Sequence, residues 1–184
     1  MTSYSEVVRE VLSALESAGV PYMVVGSFAA SIYGVSRATH DLDVVVALTP
    51  DAVTSLQAAL GDGFYFDELS AQEALERSDM FNILHIESGL KVDFWILGRD
   101  DYSRTQFERR RPTETWGIKS YVASPEDTVL SKLLWYRITP SDRQLADVRD
   151  VLIVEKGELD YEYMAHWAET LGVQDLLDRL IKET

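Results

Sequence analysis

Two apolar stretches of this chain carry carboxylates where a buried strand should have none. Residues 39–46 read Thr39-His40-Asp41-Leu42-Asp43-Val44-Val45-Val46, and residues 90–97 read Leu90-Lys91-Val92-Asp93-Phe94-Trp95-Ile96-Leu97. An extended chain turns successive side chains to opposite faces, so Asp41 and Asp43 point the same way. Carboxylates gathered on a sheet face repel one another and resist burial unless a cation joins them. A hard divalent cation takes oxygen ligands, from one or two carboxylates together with substrate phosphates. Two such ions about 4 Å apart can clamp the attacking and leaving oxygens of an in-line displacement at phosphorus. Asp41 and Asp43 are the candidates for holding both ions. Asp93 is the candidate for completing the metal site, or for accepting the proton of an attacking hydroxyl as general base.

The elements that must position these groups follow from periodicity. Val7, Val8, Val11, Leu12 and Leu15 recur at helical spacing, and Gly19-Val20-Pro21 ends that helix. Residues 22–25 form a short buried strand that stops at Gly26-Ser27, and a helix follows at once. Glycine there lets backbone approach a ligand, and a helix N-terminus offers free N–H groups to an anion such as phosphate. A plain tight turn is the other reading of Gly26-Ser27. Asp41 to Leu48 is the next strand, and Pro50-Asp51 opens a helix to Gly61. Residues 62–69 look irregular. Ser70 to Arg77 reads as a short helix with Ser70 as cap and Glu73 completing a capping box.

Residues 81–86 and 90–97 are strands separated by Glu87-Ser88-Gly89, short enough to require an antiparallel hairpin. Asp100 to Arg110 is a polar helix, and residues 114–122 alternate loosely as an edge strand. Ser124-Pro125 opens a helical remainder, with helices expected at 125–138, 141–155 and 160–182. The expectation is an α+β fold: a mixed sheet flanked by helices in residues 1–123, and a helical subdomain in residues 124–184.

The order Gly26-Ser27, Asp41-x-Asp43, then a strand bearing Asp93, resembles the signature of the DNA polymerase β-like nucleotidyltransferase superfamily. The resemblance covers residues 22–97. It implies a mixed sheet, two-metal catalysis with Mg2+ or Mn2+, and transfer of a nucleoside monophosphate from an NTP with release of pyrophosphate. Ser124-Pro125-Glu126-Asp127-x4-Lys132-Leu133-Leu134, followed by Arg143-x3-Asp147-x2-Asp150, is similar to the AbiEii-type branch. That branch includes toxins of type IV toxin–antitoxin systems, so it implies an antitoxin-like partner protein. Residues 36–43 fit the same branch. By position, Lys132 would contact the nucleotide phosphates and Asp147 would sit near the active site. Lys132 also reads as an exposed helical lysine, and Asp147 and Asp150 as partners of Arg143 and Arg149 on a helix surface. Arg37 could meet a phosphate as a bidentate donor or be a loop arginine.

Composition narrows the partners. The 184 residues carry a net charge of −14, which disfavours non-specific DNA binding. Arg109-Arg110-Arg111 reads as a local basic patch or as a solvated helix end. No apolar run reaches the roughly 18 to 20 residues of a membrane span. There is no cysteine, which excludes disulfides and thiolate metal sites. The N-terminus lacks the pattern of a signal peptide, and a cytoplasmic protein is expected. The acceptor is expected to be a small molecule, a protein hydroxyl or an RNA end, with the acidity favouring a cationic small molecule or a protein. A non-catalytic module binding a nucleotide or a partner is the alternative. An acidic antitoxin or scaffold with solvated carboxylates is a third reading.

Overall fold

A computed structural model describes residues 2–35, 41–115 and 117–184, so Arg37, His40 and Trp116 lie outside the described residues. The elements begin α1 (Tyr4–Ser17), β1 (Tyr22–Val24), α2 (Gly26–Tyr33), β2 (Asp41–Val46), α3 (Pro50–Leu60), β3 (Phe64–Tyr65) and α4 (Glu68–Arg77). They continue with β4 (Met80–His85), β5 (Lys91–Ile96), α5 (Asp101–Glu108), β6 (Arg111–Thr115), β7 (Ile118–Val122) and α6 (Pro125–Ile138). Three further helices close the chain: α7 (Asp142–Val154), α8 (Tyr161–Leu171) and α9 (Gln174–Glu183). The fold is α+β, a mixed sheet with helices and a helical C-terminal part. Its contacts divide it into two compact units. One comprises Met1–Val24 with Thr39–Val122, and the other Val25–Ala38 with Ala123–Thr184. Thus α2 groups with the C-terminal helices, whereas a division of the sequence at 123/124 keeps it with the sheet.

The first unit holds the seven-stranded sheet, in the order β3-β4-β5-β2-β1-β7-β6. One face is apolar because alternate residues supply it: Leu42, Val44 and Val46 of β2, Phe81 and Ile83 of β4, Val92 and Phe94 of β5, all buried. Phe81 and Phe94 meet with ring centroids 5.2 Å apart. Helix α1 places Val7, Val8, Val11 and Leu15 in the core. Its start is fixed by a capping box: Ser3 Oγ accepts from Glu6 N, and the Glu6 carboxylate accepts from Ser3 N at 2.6 Å. Residues 114–122, expected as one edge strand, lie instead within the hairpin β6–β7, and β7 is interior, parallel to β1 through Val24 and Val122.

Helix α4 begins two residues earlier than its sequence suggests. Asp67, and not Ser70, is the cap: its carboxylate accepts from Leu69 N at 3.0 Å and from the Ser70 hydroxyl at 2.8 Å. The Ser70 hydroxyl bond chiefly holds the Asp67 carboxyl below its usual range, aided by main-chain N–H groups. A carboxyl depressed in the fold stabilises it above the unfolded pKa, and that contribution is lost as pH falls through the folded one. Asp67→Ala is therefore expected to speed amide exchange at Leu69 and Ser70 at neutral pH. The difference from the parent should shrink toward acid pH, where the parent has lost the same bonds.

In the second unit α2, α6 and α7 pack together and α8 and α9 lie along α6 and α7. Ser124 caps α6 as its sequence suggests, accepting from Asp127 N at 3.1 Å and donating to Asp127 Oδ2 at 2.7 Å. The helix expected over 160–182 is two helices. Gly172 adopts φ 67°, a left-handed conformation that ends α8 and turns the chain into α9.

Candidate functional site

The three candidate carboxylates lie on adjacent strands of the first unit. Strands β2 and β5 are parallel and in register, Asp41 opposite Lys91 and Asp43 opposite Asp93. Residues paired across a ladder share a face, so Asp41, Asp43, Lys91 and Asp93 stand on one side of the sheet. It is the side away from Leu42, Val44, Val92 and Phe94. Asn82 of β4 pairs with Asp93 from the other flank and continues the same face. Asp41 is exposed, Asp43 is half-buried and Asp93 is buried at 8% exposure.

Lys91 supplies the cation. Its Nζ lies 2.8 Å from Asp93 Oδ2. The bond to Asp93 raises the Lys91 pKa, reinforced by the charges of Asp93, Asp41 and Asp43 and opposed by partial burial. The other oxygen, Asp93 Oδ1, is buried with no hydrogen-bond partner among the described residues. Tyr4, in the first turn of α1, donates its hydroxyl to the Asp41 main-chain oxygen at 3.3 Å. Burial pushes the Tyr4 hydroxyl pKa up, and the charges of Asp43 and Asp41 push it further. Neither Lys91 nor Tyr4 is among the site residues expected from the sequence. For Lys91 the signal was present: two residues before Asp93 on a strand, it had to share its face. Tyr4 depends on how α1 packs, which local pattern does not encode.

Among the described residues no three His, Cys, Asp or Glu side chains gather closely enough to hold a metal ion. The carboxylates are therefore neighbours in register without forming a closed chelate. The donor set nevertheless suits a hard divalent cation. It is all oxygen, and among the described residues Asp93 Oδ1 lacks the partner that a buried carboxylate oxygen requires.

The remaining candidates lie in the second unit, apart from Arg37, which is outside the described residues. Gly26 adopts φ 66°, open to glycine at little cost, and the N-cap residue of the α2 helix that it starts, Val25, makes no side-chain capping bond. Lys132 is buried on α6, not exposed. Its Nζ lies 2.6 Å from Asp147 Oδ2 of α7 and 3.5 Å from Ser27 Oγ of α2. Asp147 is buried too, so it is no surface partner of Arg143 or Arg149; Arg149 pairs with Glu183 at 2.8 Å.

Residues 3–178 match the family described as nucleotidyltransferase of unknown function, DUF6036. The chain belongs to that family. This DUF6036 member is accordingly a nucleotidyltransferase, a phosphorus-group transferase, within the superfamily that its aspartates resemble. Among solved structures, its fold is similar to that of ANT(2")-Ia in complex with adenylyl-2"-tobramycin. That match has a TM-score of 0.61 at 12% identity, over 90% of this chain and 94% of the other. The solution structure of the antibiotic-resistance factor ANT(2'')-Ia matches with a TM-score of 0.56 at 12% identity, over 97% and 99%. At such identity the likeness is one of fold. No curated protein matches the DUF6036 chain. Among its described residues no helix is long and apolar enough to cross a membrane.

Proposed function

We propose that this chain transfers a nucleoside monophosphate from an NTP to a hydroxyl acceptor, releasing pyrophosphate, with Asp41, Asp43 and Asp93 holding two magnesium or manganese ions. The observation that carries the reading is Asp93: buried, in register with Asp43, and with one carboxylate oxygen that has no partner among the described residues. When bound, the cations would neutralise phosphate charge and acidify the attacking hydroxyl. Asp93 takes the hydroxyl proton as the new O–P bond forms. The bond from the α-phosphorus to its bridging oxygen breaks, and the electron pair leaves with pyrophosphate. The half-exposed face around Asp43 admits the triphosphate, while positioning and charge neutralisation supply most of the rate.

In the second unit, Gly26, Ser27 and Lys132 are assigned to the nucleotide phosphates, supported by the approach of Lys132 Nζ to the Ser27 hydroxyl at 3.5 Å. The helical part from residue 124 then serves nucleotide binding, and Arg37 is assigned a phosphate contact by sequence alone. The net charge of −14 favours a cationic acceptor. ANT(2")-Ia, similar in fold, has been solved in complex with adenylyl-2"-tobramycin, an adenylylated small molecule. A toxin role with an antitoxin partner is the narrower form of the reading. Its support is the approach of Lys132 to Asp147, the two helical residues that the AbiEii-type resemblance singles out. An NTP substrate also implies the cytoplasm.

The test is calorimetry with each NTP and magnesium, followed by incubation with labelled NTP and cell extract to identify the labelled species. Magnesium-dependent NTP binding and a labelled product are expected. A binding isotherm indifferent to magnesium would end the metal reading. The second reading is a non-catalytic nucleotide- or partner-binding module, favoured by the Lys91–Asp93 ion pair, which neutralises part of the cluster without a metal. It expects NTP binding that Asp43→Ala retains unchanged, and no labelled product.

A further inference from the structure

Lys91 is not a bystander on the carboxylate face. It is half-exposed while Asp93 is buried, so the pair joins a solvent-facing cation to a buried anion. Its place is set by the ladder: opposite Asp41, two residues from Asp93, on the face that Asp43 shares. A lysine side chain is long and flexible, with four carbons between backbone and ammonium. It can leave Asp93 for solvent without any movement of β5. Among the described residues only Asp93 Oδ2 is engaged, and Oδ1 is buried with no hydrogen-bond partner. The lone ammonium therefore neutralises the cluster in part and leaves the acceptor capacity of Asp93 unused.

We propose that Lys91 is a positioning residue that stands in for a divalent cation in the unliganded protein, holding Asp93 in place by charge and yielding that position when the cation binds. The inference rests on the reading of Asp41, Asp43 and Asp93 as the metal-holding set. Two cations beside one carboxylate repel, so Lys91 lowers the affinity for metal in the absence of nucleotide. Phosphates arriving with the metal offer the displaced ammonium a new anionic partner. Binding of metal and nucleotide is thereby coupled, and metal alone is held weakly.

The test is titration of the full chain with manganese alone, read by calorimetry and by melting temperature, for the parent, Lys91→Met, Lys91→Gln and Lys91→Arg. The methionine and glutamine variants should bind manganese roughly three- to tenfold more tightly than the parent, a range that allows for solvent screening of the half-exposed lysine. Both should melt at lower temperature than the parent without metal and gain more on its addition. Arginine, which keeps the charge, should restore the parental affinity. If methionine fails to fold, glutamine alone decides, because it keeps the polar contact and drops the charge. Equal or weaker manganese binding in the neutral variant overturns the proposal. So does arginine behaving like glutamine. If no variant binds manganese but the parent still yields a labelled nucleotidyl product, this inference and the metal part of the functional reading fail while the transferase reading stands. If Asp43→Asn loses manganese binding and the Lys91 variants match the parent, the metal reading stands and the role of Lys91 falls.

Discussion

Asp43→Asn is expected to lower nucleotidyl transfer about a thousandfold while leaving the unliganded fold as stable as the parent, or more so. The size follows from what the side chain is asked to do. Holding metal and triphosphate charge at the reacting phosphorus is worth several kcal/mol, and each 1.36 kcal/mol is a factor of ten in rate. The sign of the stability change follows from its neighbours. Asp43 stands in register with Asp93 and on the face of Asp41, with Lys91 paired to Asp93. Taking one charge from a trio of like charges relieves repulsion. A residue that serves the fold loses stability and activity together, whereas one strained for function separates them. The measurement is a pair: turnover of labelled NTP, and melting temperature without metal. Loss of both in parallel would reassign Asp43 to the fold. Retention of both would leave the carboxylate face without a role.

Lys132→Met is expected to cost about 3–5 kcal/mol, the typical result of stranding one partner of a buried ion pair. Lys132 and Asp147 are each more than nine-tenths buried, and their atoms meet at 2.6 Å. Without the ammonium the Asp147 carboxylate keeps its desolvation cost and loses the ionic bond to Lys132 that offsets part of it. In a chain of this size that lowers the melting temperature by roughly 10 °C. Asp147→Leu alone should be comparably harmful, since it strands the lysine. The double variant Lys132→Met with Asp147→Leu should recover most of the loss, because apolar residues of similar volume often replace a buried pair at little cost. Additive losses in the double variant would contradict the account. The rescued double variant then isolates the ligand role: a folded protein with weakened NTP binding assigns Lys132 to phosphate, and unchanged binding makes the pair purely structural.

Local chemistry was legible in the sequence, and long-range pairing was not. The Ser124-Pro125 start of α6 depends on atoms three residues apart. The β4–β5 hairpin is similarly local. Period-two alternation placed Asp41 and Asp43 on one face. Their position beside Asp93 is different, because a parallel register is set by everything between the strands. Asp67 took the cap expected of Ser70 because a carboxylate accepts two or three bonds at once, and the serine hydroxyl itself became a donor to it. Gly172 was hidden inside an amphipathic run where a lone glycine is tolerated, and only its φ shows that it divides the helix. The burial of Lys132 depends on α2, α6 and α7 coming together, which no window of sequence reports.

The assignment of α2 to the second unit has a consequence for modularity. The chain leaves the sheet unit after Val24, builds one helix of the other, returns before Asp41 and departs again after Val122. The helical bundle is therefore discontinuous in the gene, and no single cut excises it. A fragment starting at 124 would lack α2 and with it Ser27, leaving the Lys132 side of α6 without one wall. Grafting the helical half onto another protein, or exchanging it between relatives as a cassette, would require residues 25–38 to travel with it.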